Sequence, residues 1–138
     1  LDYRALFRLG LEGVVLALKR LVVEAQLRGA NDVTVDGRKI SGAAQYRDRE
    51  VVVQHGTLIL DLDPANVMDK VLRNPKIRSY SGMTSVRELI GEIPDRPTLA
   101  FALMCGFSET LGESVDFGEL TPWEKERILE LTASVSDP

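Results

Sequence analysis

Cysteine and histidine each occur only once in this sequence. Cys105 is the one cysteine and His55 the one histidine among 138 residues. A single cysteine cannot form a disulfide within the chain, and the two residues together are too few for a zinc site built from cysteine or histidine. We therefore expect neither a disulfide scaffold nor a protein-built metal site.

An excess of positive charge and long apolar runs are absent as well. Asp and Glu total 21 against 17 Lys and Arg, and the net charge is −4. A mildly acidic protein lacks the electrostatic footprint of nucleic-acid binding. No apolar run approaches the roughly 20 residues that cross a bilayer, and no signal-peptide pattern is present. We expect no nucleic-acid partner, no membrane partner and a cytoplasmic location.

The apolar content is sufficient for a compact domain, since 44% of the residues are hydrophobic. That suits one domain over residues 1–138 with a single core. The predicted order is a helix, then strands, then helices, which favours an α+β fold with a mixed β-sheet flanked by helices. Because the sequence starts at Leu1 and enters a helix at once, we expect a partial or processed domain.

Apolar periodicity and capping residues predict the helices. Apolar residues recur at three- and four-residue steps over residues 3–21, with Gly10 and Gly13 suggesting close approach to a neighbouring element. Residues 22–27 fit either a brief strand or the end of that helix. Capping residues and prolines predict four further helices, and an irregular loop at 75–83. The first begins at Pro64, the second after Thr84 or Ser85, and the third at Thr98. The last begins at Pro122, within the capping box Thr121-Pro122-Trp123-Glu124.

The middle of the chain is predicted to be β-rich. Val33 to Val35 lead into Asp36-Gly37, which is among the strongest short signals for a hairpin turn. The returning strand is predicted over 38–46, a polar turn over 47–49, and a third strand over 51–61.

Lys39 is the first candidate for chemistry. If the returning strand is regular and Ile40 faces the core, Lys39 and Ser41 face the other side. Residues 42–44 are small and leave the backbone open to a ligand. An ammonium over such a floor suits a carboxylate or phosphate oxygen. The same pattern also fits a solvated lysine beside a hairpin.

Each remaining polar candidate also has two interpretations. His55 before Gly56 is typical of a satisfied core histidine, or of a residue that positions a substrate. Asn31-Asp32 fits a turn held by side-chain-to-backbone bonds, or a site where Asn31 binds a ligand amide or purine edge. Three arginines fit a solvated rim better than a phosphate clamp: Arg38, Arg47 and Arg49.

Cys105 lies in an apolar helical pattern. A free cysteine there behaves as a small buried hydrophobe. The one histidine that could activate it is on a distant strand, so a catalytic role is disfavoured.

Three runs of residues occur together between residues 31 and 61. They read Asn31-Asp32-Val33, then Gly37-Arg38-Lys39-Ile40-Ser41-Gly42-Ala43-Ala44-Gln45, then Gln54-His55-Gly56-Thr57-Leu58-Ile59-Leu60. In this combination the chain resembles the lipoate-protein ligase A family, within the biotin/lipoate ligase superfamily. Two later stretches, 106–111 and 120–126, extend the resemblance over residues 1–133.

The resemblance implies a ligase and acyltransferase that modifies proteins. Such enzymes use ATP, accompanied by Mg²⁺, to convert lipoate to lipoyl-adenylate. They pass the lipoyl group to a lysine of a carrier domain, in a dehydrogenase complex or in the glycine-cleavage H protein. Lys39 would be the essential lysine that contacts the acyl carbonyl and the α-phosphate, stabilising developing negative charge. The residues implied in binding lipoate and adenylate are Asn31, Asp32, Ser41, Gly42, Ala43, Ala44, His55, Gly56 and Thr57.

Related proteins differ from this pattern at particular positions. Biotin ligases usually place Trp-Pro before Asn-Asp, where this chain has Gly29-Ala30. Octanoyltransferases of the same fold need no ATP, and the ligase-like ones have a cysteine nucleophile a little before the lysine strand, where this chain has none. A non-catalytic remnant or binding module is a further alternative.

The family's glycine-rich segment, Arg-Arg-x-x-Gly-Gly-Gly, does not occur in this sequence. That segment would lie upstream of Leu1 and supply much of the contact with lipoate and phosphate. Its absence is the best support for the non-catalytic alternative. We expect the missing N-terminal portion to come from another chain or to have been removed. A separate accessory-domain subunit is also an expected partner.

Overall fold

A computed structural model of the protein describes residues 2–49, 51–62 and 82–135. Their elements in chain order are α1 (Tyr3–Arg20), β1 (Gln26–Arg28), β2 (Asp32–Val35), β3 (Arg38–Asp48), β4 (Val51–Leu58), α2 (Val86–Ile90), α3 (Arg96–Leu111) and α4 (Pro122–Val135). The predicted helix that begins at Pro64, and residues 75–81 of the predicted loop, lie outside the described residues. No described helix is long and apolar enough to cross a membrane.

The strands form an antiparallel sheet in the order β1-β2-β3-β4. Asp36 and Gly37 have φ values of 49° and 75°. A two-residue hairpin turn of type I′ needs positive φ at both positions, so the predicted hairpin is confirmed. An isolated parallel bridge joins Lys39 to Met83. Helices pack beside the sheet, which confirms the α+β class.

The core lies between α1 and one face of the sheet. Leu18 of α1, Val33 of β2, Ile40 of β3 and Val86 of α2 are all fully buried. Residues from three separate parts of the sequence therefore share one apolar core, which fixes β2, β3 and α2 relative to one another.

Helices α1 and α3 approach each other through glycine. A Cβ atom at Gly13 would lie 2.6 Å from the ring of Phe107. A Cβ atom at Gly106 would overlap the carbonyl oxygen of Gly13 and lie 2.9 Å from the backbone nitrogen of Ala17. The close approach predicted from Gly13 is confirmed.

A β-bulge interrupts the pairing of β2 with β3. Val33 pairs with Ser41 and Thr34 pairs with Lys39, so Ile40 is an extra residue without a partner in β2. An extra residue reverses the alternation of side chains between the two faces. Ser41 is only 3% exposed and lies on the face that α1 covers. The prediction that Ser41 shares a face with Lys39 is therefore wrong.

Several predicted boundaries differ from the observed ones. Helix α3 begins at Arg96 rather than Thr98, because the side chain of Asp95 accepts a hydrogen bond of 2.8 Å from the Thr98 amide and caps the helix earlier. Strand β4 ends at Leu58, three residues before the predicted end. At that point Ile59 and Leu60 turn to bond the start of α2 instead.

The predicted capping box at the start of α4 is present. Glu124 accepts hydrogen bonds from the Thr121 amide and hydroxyl, both at 2.7 Å, and its own amide donates to the Thr121 hydroxyl. These bonds hold the pKa of Glu124 below its ordinary value. Trp123 is 70% exposed, so the sequence signal identified the start of this helix but not the surroundings of its apolar side chains.

Candidate functional site

Lys39 forms an ion pair with Asp32. Its Nζ lies 2.5 Å from the buried Oδ1 atom of Asp32. Arg28 approaches the other carboxylate oxygen of Asp32 at 3.6 Å and also donates to the Gly37 carbonyl at 2.8 Å. The lysine side chain is still 34% exposed. An ammonium has three donors, so Lys39 keeps donors for a ligand while Asp32 holds it in place.

Gly42 forms the floor beneath Lys39. A Cβ atom at Gly42 would lie 2.7 Å from the Lys39 Nζ and 3.4 Å from the Asp32 Oδ1. Any side chain at this position would push the ammonium away from its present place. The predicted arrangement of a lysine over a small residue is therefore present at Gly42.

Register shows which predicted residues lie on the Lys39 face of the sheet. Side chains of directly opposed residues share a face. Asp32 is opposite Gly42, which is opposite Thr57, and Ala44 is opposite His55. The Lys39 face therefore includes five of the predicted binding residues: Asp32, Gly42, Ala44, His55 and Thr57.

The other predicted residues of β3 and β4 belong to the opposite face. Ser41 is opposite Leu58, and Ala43 is opposite Gly56. Together with Leu9, these residues help to line an apolar cavity of about 460 Å³ between the sheet, α1 and α3. His55 and Thr57 also border this cavity from β4, whereas Lys39, Asp32, Gly42 and Ala44 do not line it. The predicted residues are therefore divided between the cavity and the Lys39 face.

His55 is exposed on β4. Its position on the Lys39 face, opposite Ala44, places it away from the core between α1 and the sheet. The interpretation of His55 as a satisfied core histidine is therefore wrong, and the substrate-positioning interpretation stays a prediction.

Asn31 has a structural partner. Its side-chain amide donates to the Ala43 carbonyl at 3.1 Å, and the Ala43 amide donates to the Asn31 carbonyl at 2.9 Å. These two bonds continue the pairing of β2 with β3 beyond Asp32. Asn31 lies in a turn, but its side chain bonds β3 rather than the backbone of that turn, and a role in binding adenylate stays a prediction.

Thr84 and Glu88 also belong to this site, although no sequence pattern predicts them there. The Thr84 amide donates to the Lys39 carbonyl at 2.9 Å. Glu88 accepts hydrogen bonds from Arg38 and, at 3.0 Å, from the Thr84 hydroxyl. The bond from Arg38, followed by the bond from Thr84, lowers the pKa of Glu88 from its ordinary value of 4.5. The available signal, Ser85-x-x-Glu88, predicts a helix cap rather than a contact with β3.

The remaining candidates lie at the margin of this arrangement or away from it. Arg47 and Arg49 are exposed, as a solvated rim requires, whereas Arg38 is half-buried against Glu88. Cys105 is a partly buried free thiol on α3. That helix packs on α1, across the sheet from Lys39. Within residues 2–49, 51–62 and 82–135, no three His, Cys, Asp or Glu side chains cluster as a metal site would require.

The sequence matches the family described as lipoyl protein ligase A/B catalytic domain over residues 1–108. Octanoyltransferase LipM of Kyrpidia tusciae is 38% identical over 110 residues, which are 74% of this chain and 40% of that protein. Lipoate-protein ligase LplJ of Bacillus subtilis is 41% identical over 85 residues, which are 61% of this chain and 25% of that protein. The chain therefore spans less than half the length of either relative.

Solved structures give the same fold. A crystal structure of lipoate-protein ligase A bound with ATP superposes with a TM-score of 0.79 at 24% identity, covering 96% of this chain and 56% of that one. A bipartite lipoate protein ligase from Thermoplasma acidophilum, analysed with its E2 lipoyl domain, gives a TM-score of 0.76 at 24% identity, covering 96% and 55%. With most of its residues matched by the family, this chain belongs to the lipoyl protein ligase A/B catalytic domain family.

Proposed function

We propose that this chain is part of an ATP-dependent lipoate-protein ligase, which activates lipoate as lipoyl-adenylate and transfers it to a lysine of a carrier domain. The observation that carries the proposal is the Lys39 ammonium held by Asp32 above Gly42, on a partly exposed face of the sheet. The proposal is also supported by the relatedness to lipoate-protein ligases, such as the one from Bacillus subtilis.

Lys39 would stabilise negative charge in both steps. The ammonium lies 2.5 Å from Asp32 as an ion pair, and its N–H donors suit the acyl carbonyl and the α-phosphate oxygen. A fixed cation costs no reorganisation as charge develops on these oxygens. Asp32 would hold the ammonium in position, and Gly42 would let the reacting groups approach the backbone.

The other residues of the Lys39 face would bind the rest of the substrate. Ala44, His55 and Thr57 lie on the same face along β3 and β4. Ala44 is small enough to let a flat or extended group lie on the strand, and His55 and Thr57 offer polar atoms beside it. The residues Ser41, Ala43 and Gly56 would support this strand pair from beneath, and Asn31 would fix its end.

ATP is the proposed energy source, and Mg²⁺ would supply charge neutralisation for its phosphates. Mg²⁺ generally binds through one or two carboxylates together with substrate phosphates. Asp32 is a carboxylate beside Lys39 and is 21% exposed, so one protein ligand of this kind is available at the phosphate position. This fits a metal ion that arrives with ATP rather than one held in a protein cage.

The proposed protein partners are lipoyl-carrier domains, either of dehydrogenase complexes or of the glycine-cleavage system. The archaeal ligase that shares this fold is bipartite and was analysed with an E2 lipoyl domain. By analogy, a separate accessory subunit is a further proposed partner.

An ATP-independent octanoyltransferase is the second candidate, because octanoyltransferase LipM of Kyrpidia tusciae is 38% identical to this chain. A transferase needs a nucleophile to carry the acyl group between donor and acceptor. The chain has no cysteine between β1 and Lys39, and Cys105 lies on α3, across the sheet from Lys39. These positions favour the ligase.

Lipoate-dependent ATP–pyrophosphate exchange distinguishes the two candidates. The protein, purified as its gene encodes it, should exchange pyrophosphate into ATP only when lipoate is present. A matched reaction would contain an octanoylated carrier domain, without ATP, as acyl donor. Transfer from that donor without any exchange would contradict the ligase and identify a transferase.

A further inference from the structure

The bulge at Ile40 interrupts the pairing of β2 with β3 directly after Lys39, which is itself paired with Thr34. Other segments supply the hydrogen bonds there. The Lys39 carbonyl accepts from the Thr84 amide at 2.9 Å, and the Ile40 carbonyl accepts from the Ile59 amide at 2.9 Å. Thr84 is fully buried. The position of Lys39 therefore depends on the segment that begins α2 as well as on the sheet.

Glu88 of α2 accepts hydrogen bonds from Arg38 and Thr84, the two residues next to the Lys39 backbone. One carboxylate oxygen accepts from the guanidinium of Arg38, the residue just before Lys39. The other accepts from the hydroxyl of Thr84, whose amide bonds the Lys39 carbonyl. Both bonds go to a carboxylate, and such charge-assisted bonds are roughly twice as strong as neutral ones. The Glu88 side chain therefore bonds both Arg38, which precedes Lys39, and Thr84, which bonds the Lys39 carbonyl.

We propose that Glu88 is a positioning residue for Lys39, holding the backbone of residues 38–39 against Thr84 so that the ammonium stays beside Asp32. The role in catalysis rests on the proposed function, whereas the effect on Lys39 itself does not. Glu88 is not expected to touch the substrate, since both of its carboxylate oxygens bond protein groups.

A second ion pair on the same helix provides a matched control. Arg87 pairs with Asp61 at 3.2 Å, and both side chains are about half exposed. This pair joins α2 to the segment after β4. Within the described residues, this ion pair involves neither Arg38, Lys39 nor Thr84. Loss of Glu88 removes two hydrogen bonds and loss of Arg87 removes one exposed ion pair, so Glu88→Ala should cost more stability. Only loss of Glu88 should disturb Lys39.

The first experiment measures Lys39 directly and needs no activity. Trace acetylation of the folded protein, followed by mass spectrometry, gives the reactivity of Lys39 relative to the exposed Lys125 of α4. Glu88→Ala should raise the relative labelling of Lys39 severalfold, because the ammonium is no longer kept beside Asp32. Arg87→Ala should leave it unchanged, and Glu88→Gln should be intermediate because its one amide oxygen keeps one acceptor. Equal labelling in the wild type, Glu88→Ala and Arg87→Ala would overturn the inference.

The second experiment connects the position of Lys39 to the reaction. A displacement of about 1 Å at a reacting group can cost about 100-fold in rate. In ATP–pyrophosphate exchange, kcat for Glu88→Ala should therefore fall at least about tenfold at saturating lipoate, while the variant still unfolds cooperatively above the assay temperature. Equal exchange rates in Glu88→Ala and Arg87→Ala would contradict a positioning role in catalysis. If wild-type protein showed no exchange, the proposed function would fail, and the labelling result would still decide the role of Glu88.

Discussion

Gly42→Ala tests whether the place of the Lys39 ammonium matters for function. A new Cβ atom would lie 2.7 Å from Nζ and 2.8 Å from Cε of Lys39. An unstrained contact is about 3.5 Å, so Nζ must move by about 0.8 Å. The lysine end is flexible and can yield, and the φ of Gly42 is not among the positive values. The fold should therefore tolerate the methyl group, while the ammonium loses its position beside Asp32.

The expected result is a loss of activity without a loss of stability. Misplacement of a reacting group by about 1 Å can lower the rate about 100-fold. We therefore expect kcat/KM for lipoate-dependent exchange to fall about 10- to 100-fold. Replacing glycine where the backbone allows alanine stabilises by about 0.4–1 kcal/mol through the unfolded state, so Tm should stay the same or rise. Gly118→Ala is the control, because nothing lies within 4 Å of its Cβ position. Wild-type exchange by Gly42→Ala would refute the reasoning.

Three other perturbations test separate parts of the account. Cys105→Ser should leave exchange and transfer largely intact, and complete loss in a folded variant would indicate a thiol nucleophile. Gly106→Ala should destabilise the protein by about 3 kcal/mol in denaturant unfolding, because its methyl group would overlap the Gly13 carbonyl of α1. The difference in unfolding free energy between wild type and Glu88→Gln should be constant above pH 4.5 and should shrink below it.

The sign of the pH effect follows from the lowered pKa of Glu88, whose main cause is the hydrogen bond from Arg38. A carboxylate with a lower pKa in the folded state stabilises the protein above its unfolded pKa and loses that contribution as pH falls through the folded value. A difference that does not change between pH 6 and the acid transition would contradict the assignment. For Gly106→Ala, an unfolding free energy equal to that of Gly118→Ala would contradict the close contact between α1 and α3.

The local features of the fold could be predicted because their causes lie within a few residues. Asp36-Gly37 predicted a hairpin turn because few residues adopt positive φ, and Thr121 with Glu124 predicted a helix start. The apolar period of residues 3–21 predicted α1. In each of these examples the physical cause and its effect are adjacent in sequence, and the structure agrees.

The features that depend on contacts between distant segments could not be predicted from the pattern. The bulge at Ile40 forms where β2, Ile59 and Thr84 meet, and a strict two-residue alternation therefore assigned Ser41 to the wrong face. The apolar neighbours of His55 suggest a core histidine as one of two interpretations, although β4 presents it on the exposed Lys39 face. Glu88 carried only a capping signal, because its contact with Arg38 spans 50 residues.

The most direct test of the central claim compares Lys39→Ala with Lys125→Ala in lipoate-dependent ATP–pyrophosphate exchange. Lys39 holds the proposed catalytic charge, whereas Lys125 is an exposed lysine on α4. We expect exchange by the wild type and Lys125→Ala, and none by Lys39→Ala, although all three unfold cooperatively. Exchange by folded Lys39→Ala at the wild-type rate would contradict it.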